Sequence, residues 1–521
     1  MSLGQRLRSF AAVAKANFVP FERPDRIPRA LLAAAQWGLG TCALLAAAAA
    51  RYPTADAVID DEGSITFEEL WNRGRALALA LRARGAVEGA AVGVMCRNHR
   101  GFVVACAAIA ASGADLVLLN TGFAAPQLAD VVADEHVAIV IHDDEFSDLV
   151  ARCGAAHTFD EATTAAMSCG PDYAGRPTRE GRVIILTSGT TGRPRGAARR
   201  ADAAAAEAAG ALLVRIPLRA RDTQVVSAPL FHAWGFAHLM FGLGRSATTV
   251  VSRRFNPSAT LTDIERHRAR VLVVVPVMLQ RILSLAPTEL ARRDTSSLEI
   301  IALSGSALGG RMATEAINRF GPVIYNTYGS TEVAVASIAT PDDLRRHPTT
   351  VGRPAPGVVV RILGNDGNDV ATGASGRIFV GNGGRFDGYT SGVGKETQHD
   401  LLASGDVGHF DHEGLLFVDG REDDMVISGG ENLFPGEVEE LLLHHQRIAD
   451  AAVIGVPDDE FGQILAAFVV VAPGHTLTAD DVRDYVRTRL ARFKVPKTVA
   501  FLDELPRTTT GKVLRNQLPN P

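Results

Sequence analysis

The sequence has few cysteines and pairs none of them. Only five occur in 521 residues, Cys42, Cys96, Cys106, Cys153 and Cys169. They form neither a close pair nor a metal-ligand spacing, and their odd number argues against a complete disulfide framework. A reducing, cytoplasmic setting is expected, with the thiols serving as small buried apolar groups. Excess charge of one sign is missing as well: 53 basic against 58 acidic side chains leave a formal net charge of -5. Nucleic acid is therefore not an expected partner, and any phosphate binding must be local. A Walker A loop is also absent. No Gly-Lys-Ser/Thr closes the glycine-rich segment Thr187 to Gly196, and Gly511-Lys512-Val513 fails the pattern too, which disfavours a P-loop ATPase.

Only one long uncharged run occurs near the start, Ala30 to Ala50 between Arg29 and Arg51. Its length alone meets the rule for a membrane-spanning helix. It is mostly alanine, however, with Gln36, Gly38, Gly40 and Thr41, and alanine gains little from lipid. The preceding Phe21-Glu22-Arg23-Pro24-Asp25 is unlike the start of a secretory signal. The expectation is a helix packed on the protein, or lying at the inner face of a membrane as a peripheral contact, rather than a span.

The chain is rich enough in apolar residues, at 47%, to bury a large core, and too long for one compact domain. Thr66-Phe67-Glu68-Glu69 reads as a capping box, followed at helical spacing by Leu70, Leu77 and Leu81 and ending near Gly85. Short apolar runs then recur: Val92 to Met95, Val183 to Leu186, Val225-Val226, Val271 to Val275, Ile300 to Leu303 and Val323 to Tyr325. Separated by helix-length segments, they predict a layered α/β architecture with buried, largely parallel strands. From Val358 the texture changes to short strands with glycine turns, as in Gly376 to Val380 and Gly414 to Val418, a β-rich subdomain. The charged run Arg421-Glu422-Asp423-Asp424 then leads into a compact α+β pattern. Its last helix is capped by Thr478 with Asp481 and carries Val482, Tyr485, Val486 and Leu490. The expected organisation is an N-terminal extension at 1–50, a large domain of layered α/β subdomains plus the β-rich subdomain at 51–422, and a small α+β domain at 423–521.

Chemistry concentrates in Thr187-Ser188-Gly189-Thr190-Thr191-Gly192-Arg193-Pro194-Arg195-Gly196, directly after an apolar strand. Glycines let backbone amides approach a phosphate chain, and hydroxyls add donors. This loop resembles the phosphate loop of the adenylate-forming superfamily of acyl-CoA synthetases, luciferases and peptide-synthetase adenylation domains. Further matches follow in that family's order: Tyr325-Asn326-Thr327-Tyr328-Gly329-Ser330-Thr331-Glu332, Ser404-Gly405-Asp406, Gly420 to Asp424, and Pro506-Arg507-Thr508-Thr509-Thr510-Gly511-Lys512. The resemblance covers the chain from about residue 50 onward.

The resemblance implies ATP, Mg2+ and coenzyme A as partners, a carboxylic acid as substrate, and a small domain that rotates between two half-reactions. Thr187, Ser188, Gly189, Thr190, Thr191 and Gly192 would grip the phosphates, and Glu332 would hold magnesium, a hard cation that prefers oxygen. Tyr328 and Gly329 would lie against the adenine with Asn326 nearby, while Asp406, assisted by Arg421, would accept from the ribose. Lys512 is the expected catalytic cation, bridging carboxylate and α-phosphate, with Thr331 also in the catalytic set. Asp423 matches the hinge. Rotation would bring Gly429 and Gly430, in Ser428 to Asn432, toward pantetheine, with Lys494 and Lys497 meeting the CoA phosphates. For the acid, Ala228 to Gly235 resembles the segment whose histidine or aromatic lines the acyl site, so His232 and Trp234, with Gly305, Ser306 and Ala307, are its expected walls, and His232 is also an expected catalytic residue that orients the carboxylate. Two departures stand out: Arg195 replaces the lysine frequent in the phosphate loop, and Arg377 stands where an acidic residue is common.

The alanine-rich segment and apolar walls suit a fatty acid, so a fatty-acid–CoA ligase is the expectation. Its rivals are a fatty acyl-AMP ligase loading a carrier protein, an aryl-CoA ligase, and a catalytically silent nucleotide or acyl-CoA sensor. Retention of Glu332, Asp406, Arg421 and Lys512 speaks against the sensor.

Overall fold

The computed structural model describes residues 27–37, 40–173, 175–188, 194–199, 210, 212–384, 386–392, 394–428, 431–458, 461–508 and 511–519. The apolar runs become the inner strands of two sheets. In the seven-stranded sheet, Val183–Ser188, Asp115–Leu118, Ala91–Met95, Val137–His142 and His157–Phe159 lie side by side and parallel. Pro194–Arg199 and Gly388–Tyr389 extend it antiparallel. In the nine-stranded sheet, Ile324–Ser330, Ile300–Leu303, Val271–Val274, Thr223–Val226, Thr248–Val250 and Asp56–Asp60 are likewise parallel. Every residue of Val271–Val274 and Ile300–Leu303 is buried, the pattern expected of strands covered on both faces. The strand expected at Val323 to Tyr325 begins one residue later and runs on to Ser330, because Ala334–Ala339 folds back to pair with it.

Helices join the sheets into one core. Thr66 and Glu69 cap each other reciprocally at the start of Phe67–Arg82. This helix packs on Arg100–Ser112, which is apolar on nearly every side, as a helix enclosed by protein must be. The alanine-rich stretch forms two short helices, Ile27–Trp37 and Thr41–Arg51. The second is buried against Phe67–Arg82, Arg100–Ser112 and Ala233–Gly244, and the Arg51 guanidinium donates to Gly244 O at 2.9 Å. Among the described residues, no helix is long and apolar enough to cross a membrane.

The β-rich segment is an antiparallel sheet of Val359–Leu363, Gly376–Gly381, Leu401–Phe410, Thr397–Gln398 and Leu416–Arg421. Beyond the turn at 422–424, Pro435–Leu443 and Ala479–Arg487 pack on the sheet Ile448–Asp458, Gly462–Val471 and Thr498–Phe501. Thr478 and Asp481 form the expected capping box. Leu490 falls past the helix end, yet its amide still donates to Val486 O at 2.8 Å.

Leu45 is wholly buried in the Thr41–Arg51 helix. Its truncation, Leu45→Ala, should lower unfolding free energy by about 2–5 kcal/mol in urea titration, the range for a buried leucine. An unchanged midpoint would mean that the helix does not belong to the core.

Candidate active site

Both parallel sheets end on one cavity of about 2080 Å³, larger than the roughly 300–1,000 Å³ that one small ligand needs. Its walls come from segments at or just beyond the carboxyl ends of strands: Thr187, Ala228 to Pro229, Val275 to Val277 and Ser304 to Gly309. That is where open α/β sheets bind ligands.

One end is polar. The Tyr328 hydroxyl, at the end of Ile324–Ser330, donates to Asp406 Oδ2 at 2.5 Å, and Arg421 Nη1 donates to Asp406 Oδ1 at 3.2 Å. Burial, with Asp406 beside it, pushes the Tyr328 hydroxyl well above its ordinary pKa, so it stays a donor. Asn326 is buried on the same strand and reaches the cavity. Gly329 is required where it stands: a Cβ there would lie 1.8 Å from Ala334 O. Thr331 lines the cavity, and its carbonyl accepts from the Arg199 guanidinium.

Glu332, buried, anchors the next stretch. Its Oε2 accepts from Ser330 Oγ and its Oε1 from the Tyr389 hydroxyl, each at 2.7 Å. Burial alone would raise its pKa, but nearby Lys395 and these two hydroxyls outweigh it and hold the carboxyl below its ordinary value. Carboxylate oxygens have further lone pairs, so this group can still face a cation. Arg195 lies with its guanidinium carbon 5.8 Å from the centre of the Tyr389 ring. The Thr187 hydroxyl donates to Arg195 O at 3.2 Å. Gly189, Thr190, Thr191 and Gly192, and the Ser188 side chain, lie outside the described residues. Arg377 now has a structural account: it pairs with Glu396 and Glu422, tying the β-rich sheet to the turn that leads to the small domain.

The other end is apolar and aromatic. His232 precedes the helix Ala233–Gly244, and its buried Nε2 has no partner among the described residues. Burial pushes its pKa down to about 4, so the ring is neutral near pH 7. Trp234 Nε1 donates to Val274 O at 3.2 Å, and the Trp234 ring meets His238 edge-on at 4.4 Å. Gly305, Ser306 and Ala307 line the same cavity. Sequence reading missed much of this wall. Thr41 and Leu44 from the alanine-rich helix, with Met240 and Phe241, also line it. So was Asn98 missed, which reaches over from the seven-stranded sheet. Its amide donates to Ala228 O at 3.0 Å and its Oδ1 accepts from Leu230 N at 2.8 Å, fixing the loop before His232. A polar residue just after an apolar strand was the available signal.

The small domain closes over the cavity. Lys512 lines it together with Asp406, Arg421 and Glu332. Gly511 lies against Val277: its φ is +82°, and a Cβ would sit 2.1 Å from Val277 Cγ1. Glu440 caps Gly310–Phe320 across the domain junction, accepting from Gly310 N at 2.7 Å. Asp423, in the turn between the domains, accepts from Arg421 Nε at 3.2 Å. Lys494 reaches the cavity paired with Glu437. Lys497 does not line it; its ammonium lies 3.7 Å from the centre of the Phe461 ring. Gly429 and Gly430 lie outside the described residues.

These features define an adenylate-forming site, and comparison with known proteins gives the same class. Residues 45–390 match the AMP-binding enzyme family, and residues 437–512 match the AMP-binding enzyme C-terminal domain. The indoleacetate–CoA ligase of Aromatoleum aromaticum is 33% identical over 490 aligned residues, covering 89% of this chain and 95% of that protein. The feruloyl-CoA synthase of an Amycolatopsis species is 32% identical over 476, covering 89% and 96%. The Bacillus subtilis o-succinylbenzoate CoA synthetase, solved with its acyl-adenylate intermediate, superposes with a TM-score of 0.83 at 27% identity, covering 92% of this chain and 98% of that one. The chain belongs to the AMP-binding enzymes of the adenylate-forming superfamily. Its activity is ATP-dependent ligation of a carboxylic acid to CoA through an acyl-adenylate.

Gly511→Ala should therefore push the Lys512 loop off Val277 and lower the adenylation rate about 10²-fold, the cost of a misplacement near 1 Å, with little change in melting temperature. Pyrophosphate release at parental rate would disconnect the contact from catalysis. His232, lowered in the fold from 6.5 to about 4, takes up its proton more readily when unfolded. It should cost stability as pH falls from about 6.5 to 4, where the unfolded chain binds more protons. His232→Phe should flatten that part of the stability–pH curve in denaturant titrations, and an unaltered slope would count against the buried neutral ring.

Proposed function

We propose that the acid is aromatic, and that the cavity residues divide the two half-reactions among them. The observation that carries the choice of acid is the wall of Trp234, Phe241 and Met240, with the Trp234 ring held by its bond to Val274 O. Flat rings and a thioether offer edge, face and sulfur contacts that suit another ring. The relatives above are named for indoleacetate and ferulate, and a solved neighbour for o-succinylbenzoate, which supports the same reading. The fatty acid expected from the alanine-rich segment loses its main argument, because the second helix of that segment is packed in the protein core.

In the first half-reaction the acid's carboxylate oxygen bonds to the α-phosphorus of ATP and pyrophosphate leaves. Lys512 reduces the repulsion between these anions and stabilises the charge that develops. Tyr328, Asn326 and Gly329 hold the base, Asp406 with Arg421 the ribose, and the loop 187–192 the phosphates. Glu332, charged and with lone pairs to spare, fits magnesium, which typically takes one or two carboxylates along with phosphate oxygens; bound there, the ion would neutralise phosphate charge. His232, neutral and with its Nε2 unpartnered among the described residues, can orient the carboxylate. In the second half-reaction the CoA thiol attacks the acyl carbon and AMP leaves. Rotation about Asp423 would exchange Lys512 for the segment carrying Gly429 and Gly430, and Lys494 and Lys497 would face the CoA phosphates.

The test is release of pyrophosphate and AMP with ATP, magnesium and CoA over a panel of arylacetic, cinnamic and benzoic acids beside fatty acids. CoA-dependent turnover with aromatic acids, falling roughly 10²- to 10³-fold in Lys512→Ala, is expected. Turnover confined to fatty acids would overturn the aromatic assignment. Pyrophosphate release without CoA consumption would instead indicate an acyl-AMP ligase.

A further inference from the structure

The cavity holds a second lysine with no role assigned so far. Lys395 lines it, and its Nζ donates to Ser404 O at 2.8 Å, two residues before Asp406. The ammonium feels the charges of Glu332, Arg421, Asp406 and Asp423, and the residue is half-buried. An ammonium has three donors, and the bond to Ser404 uses one.

Its position in the chain distinguishes it from Lys512. Lys395 precedes the turn at 422–424 and is carried by the large domain, while Lys512 is carried by the small one. Any rotation about that turn removes Lys512 and leaves Lys395 in place. Its position in space matters equally. Asp406 and Tyr328 mark the nucleoside end of the site and Glu332 the phosphate end, and Lys395 interacts with both Asp406 and Glu332. In a nucleotide the α-phosphate is the group that joins those two ends.

We propose that Lys395 is the fixed cation of the α-phosphate, holding the acyl-adenylate and then AMP after Lys512 has swung away. This rests on the adenylation reading above. In the thioester-forming step the thiol gives up its proton to water, its sulfur bonds to the acyl carbon, the bond from that carbon to the phosphate oxygen breaks, and that oxygen keeps the electron pair as AMP departs, so the charge on the departing AMP grows. A cation that stays on the phosphate stabilises that leaving group without taking or giving a proton.

The obvious alternative is that Lys395 only tethers the strand segment 404–406. AMP and adenosine separate the two roles, because they share every nucleoside contact and differ in the phosphate. Affinities for both should be measured by calorimetry in the parent, Lys395→Met and Lys395→Arg, alongside single-turnover transfer from pre-formed acyl-adenylate to CoA. The expected result is a loss of roughly ten- to a hundred-fold in AMP affinity in Lys395→Met, the size of a hydrogen bond to a charged group. Adenosine binding should be unchanged, transfer should slow at least about tenfold, and Lys395→Arg should recover part of both. Parallel weakening of AMP and adenosine would assign Lys395 to that strand segment and overturn the proposal, as would AMP affinity and transfer equal to the parent. Failure of the parent to bind AMP at all would instead remove the adenylation reading, a separate outcome.

Discussion

The carboxylate of Glu332 is the point on which the site depends. Burying a charge is costly unless other groups repay the lost water, and here the compensation comes from separate parts of the fold. Ser330 belongs to the nine-stranded sheet, Tyr389 to the edge of the seven-stranded sheet, and Lys395 to the segment that enters the β-rich sheet. Arg199, also from the seven-stranded sheet, holds the carbonyl of neighbouring Thr331, and its own charge is favoured by Glu332. Because no single sheet satisfies this carboxylate, the three sheets are fixed relative to one another where the phosphates are expected.

The same economy of contacts appears between the domains. Gly511 admits the Lys512 loop against Val277, and Glu440 supplies an acceptor for the first helical turn of Gly310–Phe320. Both contacts are local and polar or van der Waals in kind, and neither buries a large apolar face. Junctions of this sort can be exchanged for another set at small free-energy cost, which is what the proposed rotation about Asp423 would require. The pairing of Lys494 with Glu437 within the small domain fits that view, since it keeps a cation screened until a stronger anion competes for it.

How much of this could be read from the sequence follows from the range of the interactions. Strands such as Val271–Val274 were legible because burial on both faces makes every residue apolar, and the caps at Thr66 and Thr478 because three residues suffice to make them. The convergence of Tyr328, Asp406, Arg421 and Lys512 on one cavity was legible as motif. Lys395 and Asn98 were not, because each is a lone polar residue whose partner lies on another element, Ser404 for one and Ala228 with Leu230 for the other. Lys497 sits in a basic run that suggests phosphate binding, and in this conformation its ammonium rests on Phe461.

Alanine in the Thr41–Arg51 helix illustrates why composition alone is a weak guide to the substrate. An uncharged alanine run satisfies a lipid and a tightly packed interior equally well by pattern, but the two differ in what they ask of size. Lipid rewards large apolar side chains; close helix packing rewards small ones, because backbones can then approach. Here Cys42 Sγ comes within 3.8 Å of Ala107 O on the Arg100–Ser112 helix, and Ala48 and Ala49 are buried. The small residues are thus set by crowding within the core. Once packed there, the helix turns Thr41 and Leu44 toward the cavity beside Met240 and Phe241, with the Thr41 hydroxyl donating to Met240 Sδ at 3.4 Å. A segment that reads as an N-terminal extension therefore lines the apolar end of the cavity, so that if the acid binds there as proposed, substitutions in this helix would alter which acid is accepted while leaving the polar end untouched.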